Sequence, residues 1–261
     1  MYDLAGLETA LTGTDFAGKL HFSPVTDSTN SDALAAARGG AAHGSVFLTD
    51  EQRAGRGRGD HAWHSVAGQG LYVSVLLRPE VPAARLALLP LAAGLAAASA
   101  VRAVAGIAVD LRWPNDLLIG VRKAGGILVE TQTEGEAVAF AVIGIGVNVH
   151  QRVFDPGLAT PATSLDVETG RHVSRQTLLV SLLKSLECET LALHDSAAAG
   201  IILRRVERAS TWLRGRAVLV HGPQACAGVT DGLDGNGFLL VRTDGGLVTV
   251  HTGGIRAAET E

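Results

Sequence analysis

An arginine- and glycine-rich segment contains the residue types best suited to bind an anion. It reads Gln52-Arg53-Ala54-Gly55-Arg56-Gly57-Arg58-Gly59, and residues 53–59 hold three arginines and three glycines in a chain of net charge −4. Glycine lets the main chain approach a ligand closely, and arginine presents a planar fork of donors that matches carboxylate and phosphate. The segment predicts an anion-binding loop. Its composition alone leaves a solvated basic turn as the alternative.

Other polar clusters lie near apolar runs elsewhere in the chain. They are Asp27-Ser28-Thr29-Asn30, Arg112-Trp113-Pro114-Asn115-Asp116, Lys123-Ala124-Gly125-Gly126-Ile127-Leu128-Val129-Glu130 and Gly144-Ile145-Gly146-Val147-Asn148. Each has an ordinary structural explanation when taken singly. Serine and threonine cap helices, asparagine and aspartate stabilise turns, and a lysine at a strand edge is usually solvated.

Taken together and in this order, the clusters resemble the biotin–protein ligases, over residues 20–150 well and over the C-terminal part in outline. The resemblance implies an enzyme that makes biotinyl-5′-AMP from biotin and ATP with Mg²⁺. It then transfers biotin to a lysine of a biotin carboxyl carrier domain. Only 26 residues precede Asp27, which predicts a form without the N-terminal helix-turn-helix of some members.

The resemblance assigns roles to individual residues. Activation brings a carboxylate and the α-phosphate together and builds charge on pyrophosphate, so Arg56, Arg58 and Lys123 are the candidate catalytic cations. The candidate biotin-binding residues are Ser28, Thr29, Asn30, Gln52, Arg56, Gly57, Arg58, Lys123, Gly125 and Gly126. The candidate ATP or adenylate-binding residues are Trp63, Asn115, Asp116, Gly146 and Asn148. We expect the ATP phosphates to hold Mg²⁺, with Asp116 as a candidate protein ligand.

Two positions depart from the family pattern. Many relatives continue the loop with a basic pair, whereas this chain reads Gly59-Asp60-His61. We expect Asp60 to weaken the hold of the loop on the adenylate or to alter its ordering. Arg112 stands where lysine is common, a change expected to matter little.

The composition is typical of a globular protein and argues against some classes of function. The chain has 261 residues, 47% of them hydrophobic and only 4% aromatic, so it can bury a core of aliphatic side chains. Its pI near 6.1 argues against general nucleic-acid binding.

Cys188 and Cys226 form no metal or redox motif, and the N-terminus has no basic signal-peptide region, so a cytoplasmic protein is predicted. The apolar run at 86–101 is too short and interrupted for a membrane span and predicts a buried helix.

The pattern of elements predicts an α+β fold. A central mixed or antiparallel sheet flanked by helices, like the catalytic domain of class II aminoacyl-tRNA synthetases and biotin–lipoyl ligases, is expected over 1–211, and an SH3-like β-barrel over 212–261. Helices are predicted at 3–12, 31–37, 83–105, 174–194 and 197–209. Strands are predicted at 19–25, 45–49, 70–78, 109–113, 126–131, 137–149, 217–221, 237–241 and 246–251, with turns at 115–120 and 231–237.

Two other functions remain open from the residues alone. A lipoate ligase or octanoyl transferase of the related fold would be expected to lack the Gly-Arg-Gly-Arg loop and the Trp-Pro-Asn-Asp turn. A non-catalytic biotin-binding protein would have no need of Lys123 or Asn148. A P-loop nucleotide-binding protein is excluded because the chain has no GxxxxGK[ST] motif. The protein is expected to act as a monomer or a homodimer.

Overall fold

The computed structural model describes residues 2–59, 61–135 and 137–258, without the side chains of residues 196–198. Asp60, whose effect on the loop was predicted from the sequence, lies outside the described residues.

A seven-stranded mixed sheet forms the centre of the larger part of the molecule. Its strands are β1 (Leu20–Thr26), β2 (Ser45–Gln52), β3 (Gly70–Leu77), β4 (Asp110–Arg112), β5 (Asp116–Ile119), β6 (Arg122–Glu134) and β7 (Ala137–Asn148), in the order β1-β2-β3-β7-β6-β5-β4. Strands β1 and β2 are parallel and every other neighbouring pair is antiparallel. All eight residues of β3 are buried, because this strand is central and both of its faces are covered.

Six α-helices accompany the strands in the described part of the chain. They are α1 (Leu4–Ala10), α2 (Thr29–Arg38), α3 (Leu89–Ala105), α4 (Leu165–Thr169), α5 (Arg175–Leu191) and α6 (Ser196–Arg208). Alternate residues of β3 and β7 point to opposite faces: Leu76 and Val142 pack with Ala33 of α2, whereas Val75 and Ile143 belong to the main core with α3 and α5. The helices therefore cover both faces of the sheet.

A 3₁₀ segment, Ala83–Leu88, runs directly into α3. By length and composition this continuous segment, Ala83–Ala105, is apolar enough to cross a membrane, but 61% of its most apolar window is buried inside the protein. Helix α3 packs against α5 and the sheet, as expected of a core helix. It ends where Gly106 adopts a left-handed conformation, with φ +76°.

A second, five-stranded antiparallel sheet lies C-terminal to α6. Its strands are β8 (Arg214–His221), β9 (Cys226–Leu233), β10 (Leu239–Thr243), β11 (Gly246–Val250) and β12 (Gly254–Ala257), in the order β11-β10-β9-β8-β12. The indole Nε1 of Trp113 donates to the carbonyl of Gly237 at 3.2 Å, which connects the two parts of the fold. The predicted α+β class, with a central mixed sheet and a small C-terminal β-structure, is confirmed.

Several predicted boundaries were wrong. The segment 115–120, predicted to be a turn, contains β5, and the turn predicted at 231–237 begins inside β9. Strands β9 and β12 and the five-residue helix α4 were not predicted. Strand β9 has a weak sequence signal because it contains Gly228, where a Cβ would collide with the carbonyl of Arg242 on β10. Helix α2 begins at Thr29, two residues before the predicted start.

Candidate functional site

The arginine- and glycine-rich segment leaves β2 and folds into an irregular hairpin. Gln52 pairs with Ser65 and Arg56 with Ala62 in isolated antiparallel bridges. The amide of Gly57 donates to the carbonyl of His61 at 2.7 Å. Gly55 is required by close packing, because a Cβ there would collide with the carbonyl of Trp63. The predicted anion-binding loop is thus a defined turn at the C-terminal end of β2.

The two inner arginines of this hairpin have protein partners. Arg56 makes a bidentate ion pair with Glu130 of β6, with N···O distances of 3.0 and 2.6 Å. Arg58 donates from Nη1 to the carbonyl of Gly253 at 2.7 Å, in the loop before β12. Burial lowers the pKa of Arg58, and the nearby carboxylate of Asp116 partly opposes this. The guanidinium remains charged in spite of that shift, since arginine titrates far above neutral pH.

Lys123 lies at the start of β6 in a second cluster of charges. Its Nζ is 2.5 Å from Oδ1 of Asp116, whose Oδ2 accepts from Nη2 of Arg112 at 2.6 Å. Burial alone would raise the pKa of the Asp116 carboxyl, but Lys123 and Arg112 outweigh burial and hold the pKa below its usual value. The carboxylate is therefore ionised and holds the lysine ammonium in place.

The indole of Trp63 lies over the glycines of β6 and β7. A Cβ on Gly146 would overlap the Trp63 ring, and one on Gly126 would come within 3.3 Å of it. The Nζ of Lys123 is 5.7 Å from the ring centroid, within the range of a cation–π contact. The indole Nε1 is buried and has no hydrogen-bond partner among the described residues. An unpaired buried donor is costly, so an acceptor that reached this N–H would stabilise the site.

Thr29 and Gln52 form one continuous hydrogen-bond network beside the hairpin. The amide and hydroxyl of Thr29 both donate to Oε1 of Gln52, at 2.9 and 3.1 Å, and Nε2 of Gln52 donates to Ser65 at 2.9 Å. Ser28 is buried at the N-cap of α2, but its hydroxyl makes no capping bond within the described part of the chain. Ser28 is therefore the freer of the two hydroxyls to meet a ligand.

The side chain of Asn30 bonds to two neighbouring parts of the sheet. Its Oδ1 accepts from Ser74 at 2.6 Å, and its Nδ2 donates to Glu130, the partner of Arg56, at 2.8 Å. Gly144 makes room for it, because a Cβ there would overlap the Asn30 amide. Asn30 thus fixes the start of α2 against β6 and β7.

Asn115 and Asn148 both donate to main-chain carbonyls. Nδ2 of Asn115 donates to Ile127 at 2.8 Å, and Nδ2 of Asn148 donates to Thr163 at 3.0 Å. The main chain of Lys123 also bonds to Pro161 and Thr163, so residues 161–163 run alongside it. The two asparagines order the backbone around Lys123.

The predicted site residues therefore lie close together, on the β6–β7 surface, the hairpin, the start of α2 and the start of β5. Gly57 shapes the hairpin. Gly125 faces the core side of β6, where a Cβ would lie 2.8 Å from the buried Leu117 side chain. The roles of Ser74, Ser65 and Glu130 in positioning these groups were not predicted from the sequence. Glu130 could have been found, since it ends the Lys123–Glu130 motif, whereas Ser74 is one polar residue in an apolar strand.

The fold and this site define the class of the protein. The Biotin/lipoate A/B protein ligase family matches residues 22–148. The bifunctional ligase/repressor BirA of Bacillus spizizenii is 33% identical over 96% of this chain and 76% of its own length. The biotin–[acetyl-CoA-carboxylase] ligase of Paracoccus denitrificans is 34% identical over 85% of this chain and 93% of its own.

The biotin protein ligase of Aquifex aeolicus, solved in complex with biotin and ATP, superposes with a TM-score of 0.79 and 26% identity. The match covers 93% of this chain and all of that one. This chain belongs to the biotin protein ligases.

Proposed function

We propose that this protein activates biotin with ATP to form biotinyl-5′-AMP and transfers the biotin to a lysine of a carboxyl carrier domain. The observation that carries the proposal is the placement of Lys123 beside Trp63 and the β6–β7 glycines, with the Arg56–Arg58 hairpin next to it. The names of the curated relatives and the biotin and ATP of the Aquifex structure support it.

The charged groups of the site fit the two anions of this reaction. Lys123, Arg56 and Arg58 are basic side chains whose donors a carboxylate and an α-phosphate can share. In the structure two of the three are paired with carboxylates, Lys123 with Asp116 and Arg56 with Glu130. The carboxylates keep the cations oriented before the substrates bind. The substrate anions then replace these carboxylates or share the cations with them. Closure of the hairpin then excludes water from the mixed anhydride until the carrier lysine arrives.

The neutral parts of the substrates need different partners. Ser28, Thr29 and Gln52 supply donors and acceptors for the ureido ring of biotin, and the Gly125–Gly126 backbone leaves room for its apolar parts. Asn30 holds the start of α2 in place and so supports these side chains. The residues proposed to lie along the ATP or the adenylate are Trp63, Asn115, Asp116, Gly146 and Asn148.

Magnesium is proposed to bind with the ATP. Mg²⁺ keeps several waters and uses few protein ligands, so a partly exposed site with one or two oxygen donors suits it. Asp116 fits a role through bound water better than direct ligation, because both of its oxygens already contact cations. The ion supplies charge neutralisation at the phosphates.

The remaining assignments follow from the same function. Residues 212–261 are proposed as a separate small domain that contacts the hairpin through Arg58. A cytoplasmic location fits the free thiols of Cys188 and Cys226 and the metabolic substrates. We propose no nucleic-acid or membrane partner, and action as a monomer or a homodimer.

The first test is exchange of radiolabelled pyrophosphate into ATP, with biotin, lipoate or octanoate as the acid. Exchange that requires biotin supports the proposal. Exchange with lipoate alone would assign the protein to the lipoate ligases of the related fold. Exchange with none of the acids would contradict the proposal that the protein activates a carboxylic acid with ATP. A second assay, transfer of labelled biotin to a purified carrier domain, tests the second half-reaction.

A further inference from the structure

A cluster of metal-binding side chains lies outside the site described above. His150 follows the end of β7, Asp166 lies in α4, and His172 lies in the turn after α4. One ligand atom from each of the three residues lies within 4.8 Å of the others. Neither the hairpin nor the residues proposed to bind biotin and ATP take part in this cluster.

The distances in the cluster are close to those around a bound ion. Nδ1 of His150 is 2.9 Å and Nδ1 of His172 is 3.4 Å from the same oxygen, Oδ2 of Asp166. Ligands of a tetrahedral zinc ion, with metal–ligand bonds of roughly 2.0–2.1 Å, lie about 3.3 Å apart. Both imidazole nitrogens are therefore about as far from the carboxylate oxygen as two ligands of one ion are from each other.

The carboxylate at the centre is already oriented. Oδ1 of Asp166 accepts from the amide of Val173 at 2.9 Å, and the amide of Asp166 donates to the carbonyl of Val149. This leaves Oδ2 for the two imidazoles. Such a fixed outer partner is what orients ligands in metal sites.

The two imidazoles differ in freedom. The His150 side chain is 15% exposed, whereas that of His172 is 78% exposed. Their rings stack at 4.2 Å with 13° between the planes, so their nitrogen lone pairs run side by side. The His172 ring must turn to direct its nitrogen at a shared ion, and its exposure permits this turn and gives the ion a path of entry.

We propose that His150, Asp166 and His172 bind one divalent transition-metal ion of the zinc type. Two imidazole nitrogens and one carboxylate oxygen are donors that zinc, cobalt and nickel accept, whereas Mg²⁺ requires oxygen ligands. The site is thus chemically distinct from the magnesium proposed for ATP. Three protein ligands leave a coordination position for solvent, as expected of an exchangeable ion.

The ion would join three parts of the chain. It connects the end of β7 to α4 and to the turn that follows it. Between His150 and α4 the chain passes residues 161–163, which run along Lys123. A bound ion would therefore restrict the connection 150–165 at both of its ends.

The test is titration of the chelator-treated full-length protein with Co²⁺, followed by the visible absorption of the bound ion, and then competition with Zn²⁺. We expect one equivalent to bind. His172→Ala removes one of three ligands from an exposed position, and we expect it to weaken binding by at least about tenfold. His221→Ala removes an exposed histidine on β8 and is the matched control.

Binding that is saturable at one equivalent, weakened in His172→Ala and unchanged in His221→Ala supports the site. Equal affinity in both variants and the wild type would overturn it, as would binding with no defined stoichiometry. A second measurement is the melting temperature, which Zn²⁺ should raise in the wild type and in His221→Ala but not in His172→Ala. Neither measurement uses biotin or ATP, so failure here is distinct from failure of the proposed function.

Discussion

At the scale of single residues, two of the three candidate catalytic cations already have carboxylate partners. Arg56 is paired with Glu130, and Lys123 shares Asp116 with Arg112. Such pairs hold flexible side chains in one geometry before the substrate arrives. Truncation of a cation therefore removes a charge from the reaction and also leaves its carboxylate unpaired.

Lys123→Ala should slow the activation step by a factor of about 10²–10³, the usual cost of one group that stabilises transition-state charge. Biotin-dependent pyrophosphate exchange measures this directly. Lys184→Ala, at an exposed position of α5, is the control and should exchange normally. A normal exchange rate in Lys123→Ala would remove the lysine from the mechanism.

Asp116 should make stability depend on pH in acid. Its pKa in the folded protein is below the unfolded value of about 3.9, so its contribution is full above that value and is lost as pH falls through the folded pKa. We expect the wild type to be more stable than Asp116→Asn at pH ~7, and this difference to shrink below pH ~4. Urea unfolding at several pH values measures it, and a difference independent of pH would contradict the ion-pair assignment.

At the scale of elements, glycines of β6 and β7 form the surface against which the Trp63 indole packs. Gly126 and Gly146 lie under the indole ring, and Gly144 lies under Asn30. These strands combine apolar residues facing the core with glycines facing the site, which explains the Gly-Gly-Ile-Leu-Val run of β6 and the Gly-Ile-Gly-Val run of β7.

Gly146→Ala should destabilise the protein by about 1–3 kcal/mol, because the new methyl group overlaps the Trp63 ring and nearby groups must shift. Gly126→Ala meets the ring at 3.3 Å and should cost less. Denaturant unfolding and biotin affinity by calorimetry compare the two variants. An equal loss of stability in both variants would show that the distance to the Trp63 ring does not determine the size of the loss.

Much of this arrangement could be predicted from the sequence. The polar clusters were predicted to share one site, and the structure brings them together. The partners that hold them could not be predicted, because these bonds join residues far apart in the chain, such as Asn30 with Glu130 and Ser74 with Thr29. Strand β5 and helix α4 were missed because elements of four or five residues carry too little periodic pattern.

At the scale of the whole molecule, the hairpin connects the catalytic sheet with the C-terminal sheet. Arg58 donates to Gly253 and Thr252, which lie almost two hundred residues further along the chain. The C-terminal sheet is thus in a position to influence whether the hairpin is open or closed.

Arg58→Gly should leave activation partly intact but release biotinyl-AMP faster, because it removes a cation and one anchor of the hairpin. Release is measured by the appearance of free adenylate after one turnover. Arg53→Ala changes an exposed arginine of the same segment and should retain the adenylate. Unchanged retention together with an unchanged rate in Arg58→Gly would refute this trapping role.

The parallel pairing of β1 with β2 has a practical consequence. Both strands end at the site, where Thr26 precedes Ser28 and Gln52 begins the hairpin, so helix α2 carries the chain back to the opposite end of the sheet. There it turns at Gly39 and Gly40, which are exposed. A fluorescent label or an affinity peptide inserted at this turn would be separated from the substrates by the length of α2, and would report on the enzyme without touching its chemistry.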